Sequence, residues 1–189
     1  MQPQHTHLQR IPAFFKTGRV LLLSSLSLLF LAIPKLNAQQ EGNYAIVANI
    51  MYRFTKYIDW PGNKKSGDFV IGIVGDSPLY DALNSFILNK SVGAQKIVVR
   101  RFSRSEAVYA CHILFVSEDE SSSFKKIAAR TAGGSILLVS ESDGLALKGS
   151  CINFIVVADH LKLEINQSNI EQRHLSIASE LLQLGTAVK

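Results

Sequence analysis

Three short clusters of carboxylates and hydroxyls each follow an apolar run: Gly75-Asp76-Ser77, Ser117-Glu118-Asp119 and Ser140-Glu141-Ser142-Asp143. Gathered at the carboxyl ends of parallel strands, they would make an acidic, hydroxyl-rich rim suited to a small polar ligand. A hard divalent cation is the other occupant such oxygens could take. Asp76, Ser117 and Ser140 are the ligand-rim candidates. The competing use is structural, because helix starts select Ser, Asp and Glu to satisfy free N–H groups. A phosphoacceptor would need an acidic cluster after the first strand, and Asp76 stands without an acidic neighbour.

Other chemistry is sparse. His112, His160 and His174 show no close metal-ligand spacing with one another or with a cysteine. Cys111 and His112 are adjacent, so on a strand they point to opposite faces and cannot share a ligand. His112 therefore reads as a hydrogen-bonded core residue. There is no Gly-x-Ser-x-Gly elbow and no phosphate loop, and Gly72-x-x-Gly75 and Gly133-Gly134 are too weak for a dinucleotide fingerprint. The reading is of a protein that is not an enzyme, with no cofactor and no metal. Cys111 and Cys151 could form a disulfide if the strands they open are neighbours, because a bridge needs Cα atoms within about 7 Å. Otherwise they are two buried thiols.

The elements that must position these residues follow from the apolar pattern. Cys111 to Ser117 shows no alternation, so it reads as a strand buried on both faces, which needs helices above and below it. Phe69 to Val74, Ser135 to Val139 and Ile152 to Val157 read as further buried strands, and Lys96 to Arg101 as a more polar one. Tyr44 to Ile58 has apolar residues at spacings of three and four, the stripe of an amphipathic helix. Trp60-Pro61-Gly62 ends it. Trp60 reads as a hydrophobic plug at the helix exit; with Tyr57 it is also the candidate for partner contact. Ser77-Pro78 and Ser121-Ser122-Ser123 start helices. Ser103 to Tyr109 reads as one or two helical turns. Asp159-His160 looks like a tight turn into the alternating Leu161 to Ile165, an antiparallel edge hairpin. Asn166 or Ser168 caps a last helix whose inner face runs from Ile170 to Leu184. Strands alternating with helices predict a three-layer α/β/α domain with a mostly parallel sheet of about six strands.

The N-terminus has the layout of a secretory signal peptide. Arg10, Lys16 and Arg19 precede a Leu-rich core from Val20 to Ile33, and Leu36-Asn37-Ala38 offers a small residue for cleavage. We expect residues 1–38 to be the leader and residues 39–189 to be one exported domain. The leader holds four of the 20 Lys+Arg and none of the 15 Asp+Glu, so the formal charge falls from +5 to +1 without it. The basic balance thus belongs to the leader and gives no reason to expect nucleic acid.

Four separated stretches resemble one family. Tyr52-Arg53-Phe54-Thr55-Lys56-Tyr57-Ile58-Asp59-Trp60-Pro61 is similar to the YNFxKFxxWP opening of the YfiR family. Phe69 to Pro78 resembles its first strand and GD-P turn, and Cys111 to Ser117 its CHILFIS strand. Leu163 to Asn166 and Leu175 to Leu182 resemble its closing segment. Arg53 replaces the usual Asn, and Ala178 the first Ser of the closing motif. The resemblance implies a periplasmic regulator acting by protein–protein contact to repress an inner-membrane signalling protein, a diguanylate cyclase, in cyclic di-GMP signalling and biofilm control. It also implies a homodimer, sensitivity to disulfide state, and release by an outer-membrane lipoprotein. The alternative is a periplasmic small-ligand sensor working with a sensor kinase or an outer-membrane receptor. A pocket at Asp76, Ser117 and Ser140 would favour the sensor, and an exposed apolar patch the repressor.

Overall fold

The computed structural model describes residues 33–189, with side chains from residue 43. Most of the expected leader lies outside the described residues. The compact unit that carries the sheet runs Glu41–Lys189.

Helix α1 (Ile33–Tyr57) opens the described chain. Val47, Met51 and Phe54 are buried along one stripe of it. Each such side chain contributes about 1.5–3 kcal/mol on burial. The helix leads into β1 (Ile58–Asp59), and Pro61 stops any continuation. β2 (Phe69–Val74) is buried at every position. It is followed by α2 (Leu79–Ile87), β3 (Ser91–Val92) and β4 (Gln95–Phe102). β5 (Ile113–Val116) is wholly buried, as its lack of alternation predicts. A 3₁₀ segment (Glu118–Ser123) then feeds α3 (Phe124–Thr131), and β6 (Leu137–Ser140) follows. β7 (Ile152–Val157) and β8 (His160–Ile165) form an antiparallel hairpin. The chain closes with α4 (Gln167–Glu171), β9 (Ser176–Ile177), α5 (Ser179–Leu182) and β10 (Thr186–Ala187).

The main sheet has eight strands in the order β10-β8-β7-β6-β5-β2-β4-β3. Its five central strands, β4-β2-β5-β6-β7, are all parallel. Counted by their appearance among these five, their order is 2-1-3-4-5, that of a doubly wound sheet with its switch point between β2 and β5. Right-handed crossovers running in opposite directions from that point put α2 and α3 on opposite faces. Tyr52 of α1 meets Phe86 of α2 edge-on at 5.9 Å, and Phe54 of α1 packs on Phe154 of β7 at 6.2 Å. α1 and α2 therefore cover one face.

Four details depart from the sequence reading. The sheet has eight strands rather than about six, because the two-residue strands β3 and β10 join its edges. Ser103 to Tyr109 forms turns rather than a helix. The Tyr109 hydroxyl holds that turn by donating to the carbonyls of Ser103 and Arg104 at 3.1 Å each. The hairpin turn sits on Ala158-Asp159, both at positive φ (49° and 61°), one residue before the expected position. The expected last helix is broken at His174 (φ 57°), where the chain leaves α4 to form β9. β9 pairs with β1, Ile177 opposite Ile58, in a separate two-stranded sheet.

Candidate functional site

The carboxyl ends of β2 and β5 flank the switch point, where an open α/β sheet ordinarily receives its ligand. Here the two loops that follow these strands touch each other. The Ser117 hydroxyl lies 2.9 Å from the Val74 carbonyl and against the Asp119 carboxylate, to either of which it can donate. The other Asp119 oxygen accepts from the Asp76 N–H at 3.2 Å. The Ser117 hydroxyl, followed by the Asp76 and other backbone N–H groups, holds the Asp119 carboxyl below its usual range. Gly75 turns at φ 96°, and a Cβ there would sit 1.9 Å from Ser117 Oγ and 2.5 Å from Asp119 Oδ1. Glycine is thus required both by the left-handed backbone and by the closeness of the next loop.

The three rim candidates do not converge on one space. Asp76 points outward and meets Arg101 at 3.5 Å, an exposed pair. Ser117 bonds inward. Ser140 is fully buried, and its hydroxyl lies 2.7 Å from Asn153 Oδ1 and 2.8 Å from Ser150 Oγ. The Asn153 amide in turn donates to Glu164 Oε2 at 2.8 Å and to the Ser142 carbonyl at 3.0 Å. Ser140 is therefore a member of an internal network between β6, β7 and β8, and not a rim group: its strand position turns the side chain away from the crevice.

Glu141, one residue on, is the carboxylate that occupies the rim. Its Oε1 accepts from the Glu118 N–H and its Oε2 from the Tyr44 hydroxyl, both at 3.1 Å. Burial, with Glu118 and Asp119 close by, pushes its pKa up to about 7. Burial and the Glu141 charge push Tyr44 to about 12, so Tyr44 remains the donor. One side chain thus ties α1 to the ends of β5 and β6. The acidic run 140–143 carries no sequence signal that singles it out.

His112 is a structural residue. Its Nδ1 accepts from the Val70 N–H at 3.0 Å, which assigns the neutral tautomer with Nε2 donating to the Lys64 carbonyl at 2.8 Å. Its ring stacks on Phe69 at 4.3 Å. Burial holds its pKa below the ordinary value. Trp60 is 5% exposed, meets Phe69 edge-on at 5.0 Å, and donates from Nε1 to the His112 carbonyl at 3.3 Å. Its indole is thus part of the core, at the exit of α1. Tyr57 is half-buried beside the core, and its carbonyl accepts from the Ala178 N–H at 2.8 Å, tying α1 to the closing segment.

The two cysteines are free and buried. β6 lies between β5, which Cys111 precedes, and β7, which Cys151 precedes. Two strand spacings come to about 9.6 Å, beyond the reach of a disulfide. Of the two outcomes the sequence left open, topology excludes the bridge and leaves two buried thiols. Burial pushes Cys111 up to about 12 and Cys151 to about 11, so both are inert thiols. Arg173, also buried, donates to Thr131 O at 2.9 Å and Thr131 Oγ1 at 3.0 Å, capping the carbonyl end of α3. The negative end of that helix is what makes a buried guanidinium tolerable there.

Among the described residues no group of three His, Cys, Asp or Glu is placed to hold a metal ion. Nor is any described helix long and apolar enough to cross a membrane. Three cavities stand out among the described residues. One of about 230 Å³ lies beside Trp60, Lys64 and Gln95, and one of about 330 Å³ lies between α1 and α2 at Tyr44, Pro78 and Asp81. The third, about 500 Å³, runs along β8 between Ile50 and Leu184.

The chain is thus a doubly wound α/β domain whose two switch-point loops touch each other. The YfiR/HmsC-like family model matches residues 44–186, and the chain belongs to that family. It is a regulatory, non-catalytic family of periplasmic proteins linked to cyclic di-GMP signalling, whose members act with membrane signalling proteins. No curated protein matches the chain.

Proposed function

We propose that this protein is exported by cleavage after Ala38 and represses an inner-membrane signalling enzyme, a diguanylate cyclase, by direct protein–protein contact. The observation that supports this reading is the contact between the two switch-point loops through Gly75, Ser117 and Asp119. At the place where this fold ordinarily takes a small ligand, the loops after β2 and β5 touch each other instead. Exposed apolar residues favour contact: Ile46 is 53%, Val156 63% and Leu184 57% exposed. Within this reading the protein works as a homodimer, and an outer-membrane lipoprotein relieves repression by sequestering it.

Deleting the gene should raise cellular cyclic di-GMP and biofilm mass, and supplying the exported protein should restore both. Unchanged cyclic di-GMP in the deletion strain would refute the repressor role. A second reading, a periplasmic small-ligand sensor working with a sensor kinase or an outer-membrane receptor, is favoured by the cleft between α1 and α2, which opens beside the rim at Tyr44. A metabolite retained by the purified protein and lost on filling that cleft with Ala82→Trp would support it.

A further inference from the structure

The outer edge of β8 is only half covered. β10 pairs with it at Glu164 and Ile165, a parallel register that uses the Leu163 carbonyl, so among the described residues no strand covers His160 to Lys162 on that side. The phase of the ladder says which groups are left open. The Asn166 N–H donates inward to the Cys151 carbonyl at 2.9 Å, and the Ile165 carbonyl accepts from the Val188 N–H at 2.9 Å on the outer side. In an antiparallel pair the N–H and C=O of one residue point the same way, and successive residues alternate. The main-chain groups of Leu161 and Leu163 therefore share the outward side with those of Ile165. The Leu163 carbonyl is taken up by β10, beside Gly185, whereas the Leu161 groups and the Leu163 N–H face the 500 Å³ groove, whose apolar walls include Ile50 of α1 and Leu181 and Leu184 of the closing segment. Arg53 and Lys162 also line it, and no acidic residue does.

We propose that this groove is a strand-addition site for an extended segment of a partner protein, one that alternates apolar side chains and carries a carboxylate. Strand addition uses main-chain hydrogen bonds for affinity and side-chain pockets for selectivity. The Leu161 N–H and carbonyl and the Leu163 N–H supply the first. Ile50, Leu181 and Leu184 supply the second, accepting every other side chain of the added strand. Arg53 and Lys162 select the carboxylate by charge complementarity. Arg53 is available for it: its only side-chain partner among the described residues is Asn49, at 3.2 Å. Exposed sheet edges are ordinarily blunted against pairing. This one is instead set in an apolar trough, the arrangement expected of an edge that is used.

The proposal rests on the contact reading above and names its surface. It is tested on the exported chain with a random-peptide display library as the probe. Selected peptides should alternate apolar residues with at least one Asp or Glu. On binding they should slow hydrogen exchange of the Leu161 and Leu163 amides at least about 10-fold. Leu184→Asp and Arg53→Glu, both at exposed side chains that the core does not need, should weaken binding about 10-fold or more. Absence of enrichment, or bound peptides that leave those two amides unprotected, would overturn the proposal. So would a dimer that Leu184→Asp dissociates, because the groove's occupant would then be a second copy. The two readings fail separately. A diguanylate cyclase recovered equally by wild type and both variants keeps the repressor and removes this surface. Peptide binding at the groove with unchanged cyclic di-GMP in the deletion strain does the reverse.

Discussion

The Tyr44 hydroxyl donates to Glu141 Oε2 at 3.1 Å and joins the first helix to the carboxyl edge of the sheet through a carboxylate whose pKa is about 7. The folded state holds this proton more tightly than the unfolded chain, where the ordinary value is 4.5. The stability it contributes is therefore full below about 4.5 and is lost as pH rises through about 7, amounting to about 3 kcal/mol. Thermal melts of wild type and Glu141→Gln between pH 5 and 8.5 check this. Glu141→Gln, which keeps an acceptor for Tyr44, should gain on wild type as the pH rises. Parallel profiles would contradict the assignment.

His112 titrates with the opposite sign. Burial depresses its folded pKa, so its contribution is present above the unfolded value of 6.5 and is lost as pH falls through the lower folded one. His112→Ala leaves the Val70 N–H and the Lys64 carbonyl without their ring partners and opens a void beside Phe69. It should cost about 3 kcal/mol, read from urea unfolding, and should remove the acid-side fall in stability.

Gly75→Ala should be among the most damaging single-atom-scale changes in the chain, costing about 2 kcal/mol or more, since φ is 96° and Ser117 Oγ stands where the Cβ would go. Gly62→Ala, with open space and no positive φ, is the control and should be near neutral. Equal melting temperatures for the two variants would refute the packed switch point.

Both thiols should be unreactive in the native protein and react once guanidinium exposes them, even in material from an oxidising compartment. Thiol titration with intact-mass measurement checks this. A mass lower by two hydrogen atoms would mean a bridge, and would require β6 to leave its place between β5 and β7.

The buried strand at Ile113–Val116 was legible because four apolar residues without alternation fit only a strand covered on both faces. The mostly parallel sheet followed from the alternation of strands and helices, but the order of its strands did not. The closing segment was less legible. Ile170, Leu175 and Leu181 are all buried, as an inner helical face would be, and neither Gly nor Pro marks the break at His174. What breaks the helix is pairing of Ile177 with Ile58 across the fold, a tertiary contact that local pattern does not carry. At the candidate site, loop clusters named the right region but the wrong residue. Whether Ser140 or Glu141 faces the rim depends on where β6 ends, and a shift of one residue exchanges the faces. The half-covered edge of β8 had no signal at all, because β10 is two residues long.

The most direct test of the central claim, repression by contact, is affinity co-purification of the exported protein from native membranes, with mass spectrometry of what accompanies it. The account predicts recovery of an inner-membrane diguanylate cyclase, reduced by Leu184→Asp. Recovery of no membrane signalling protein, together with a small molecule bound to the purified chain, would contradict it.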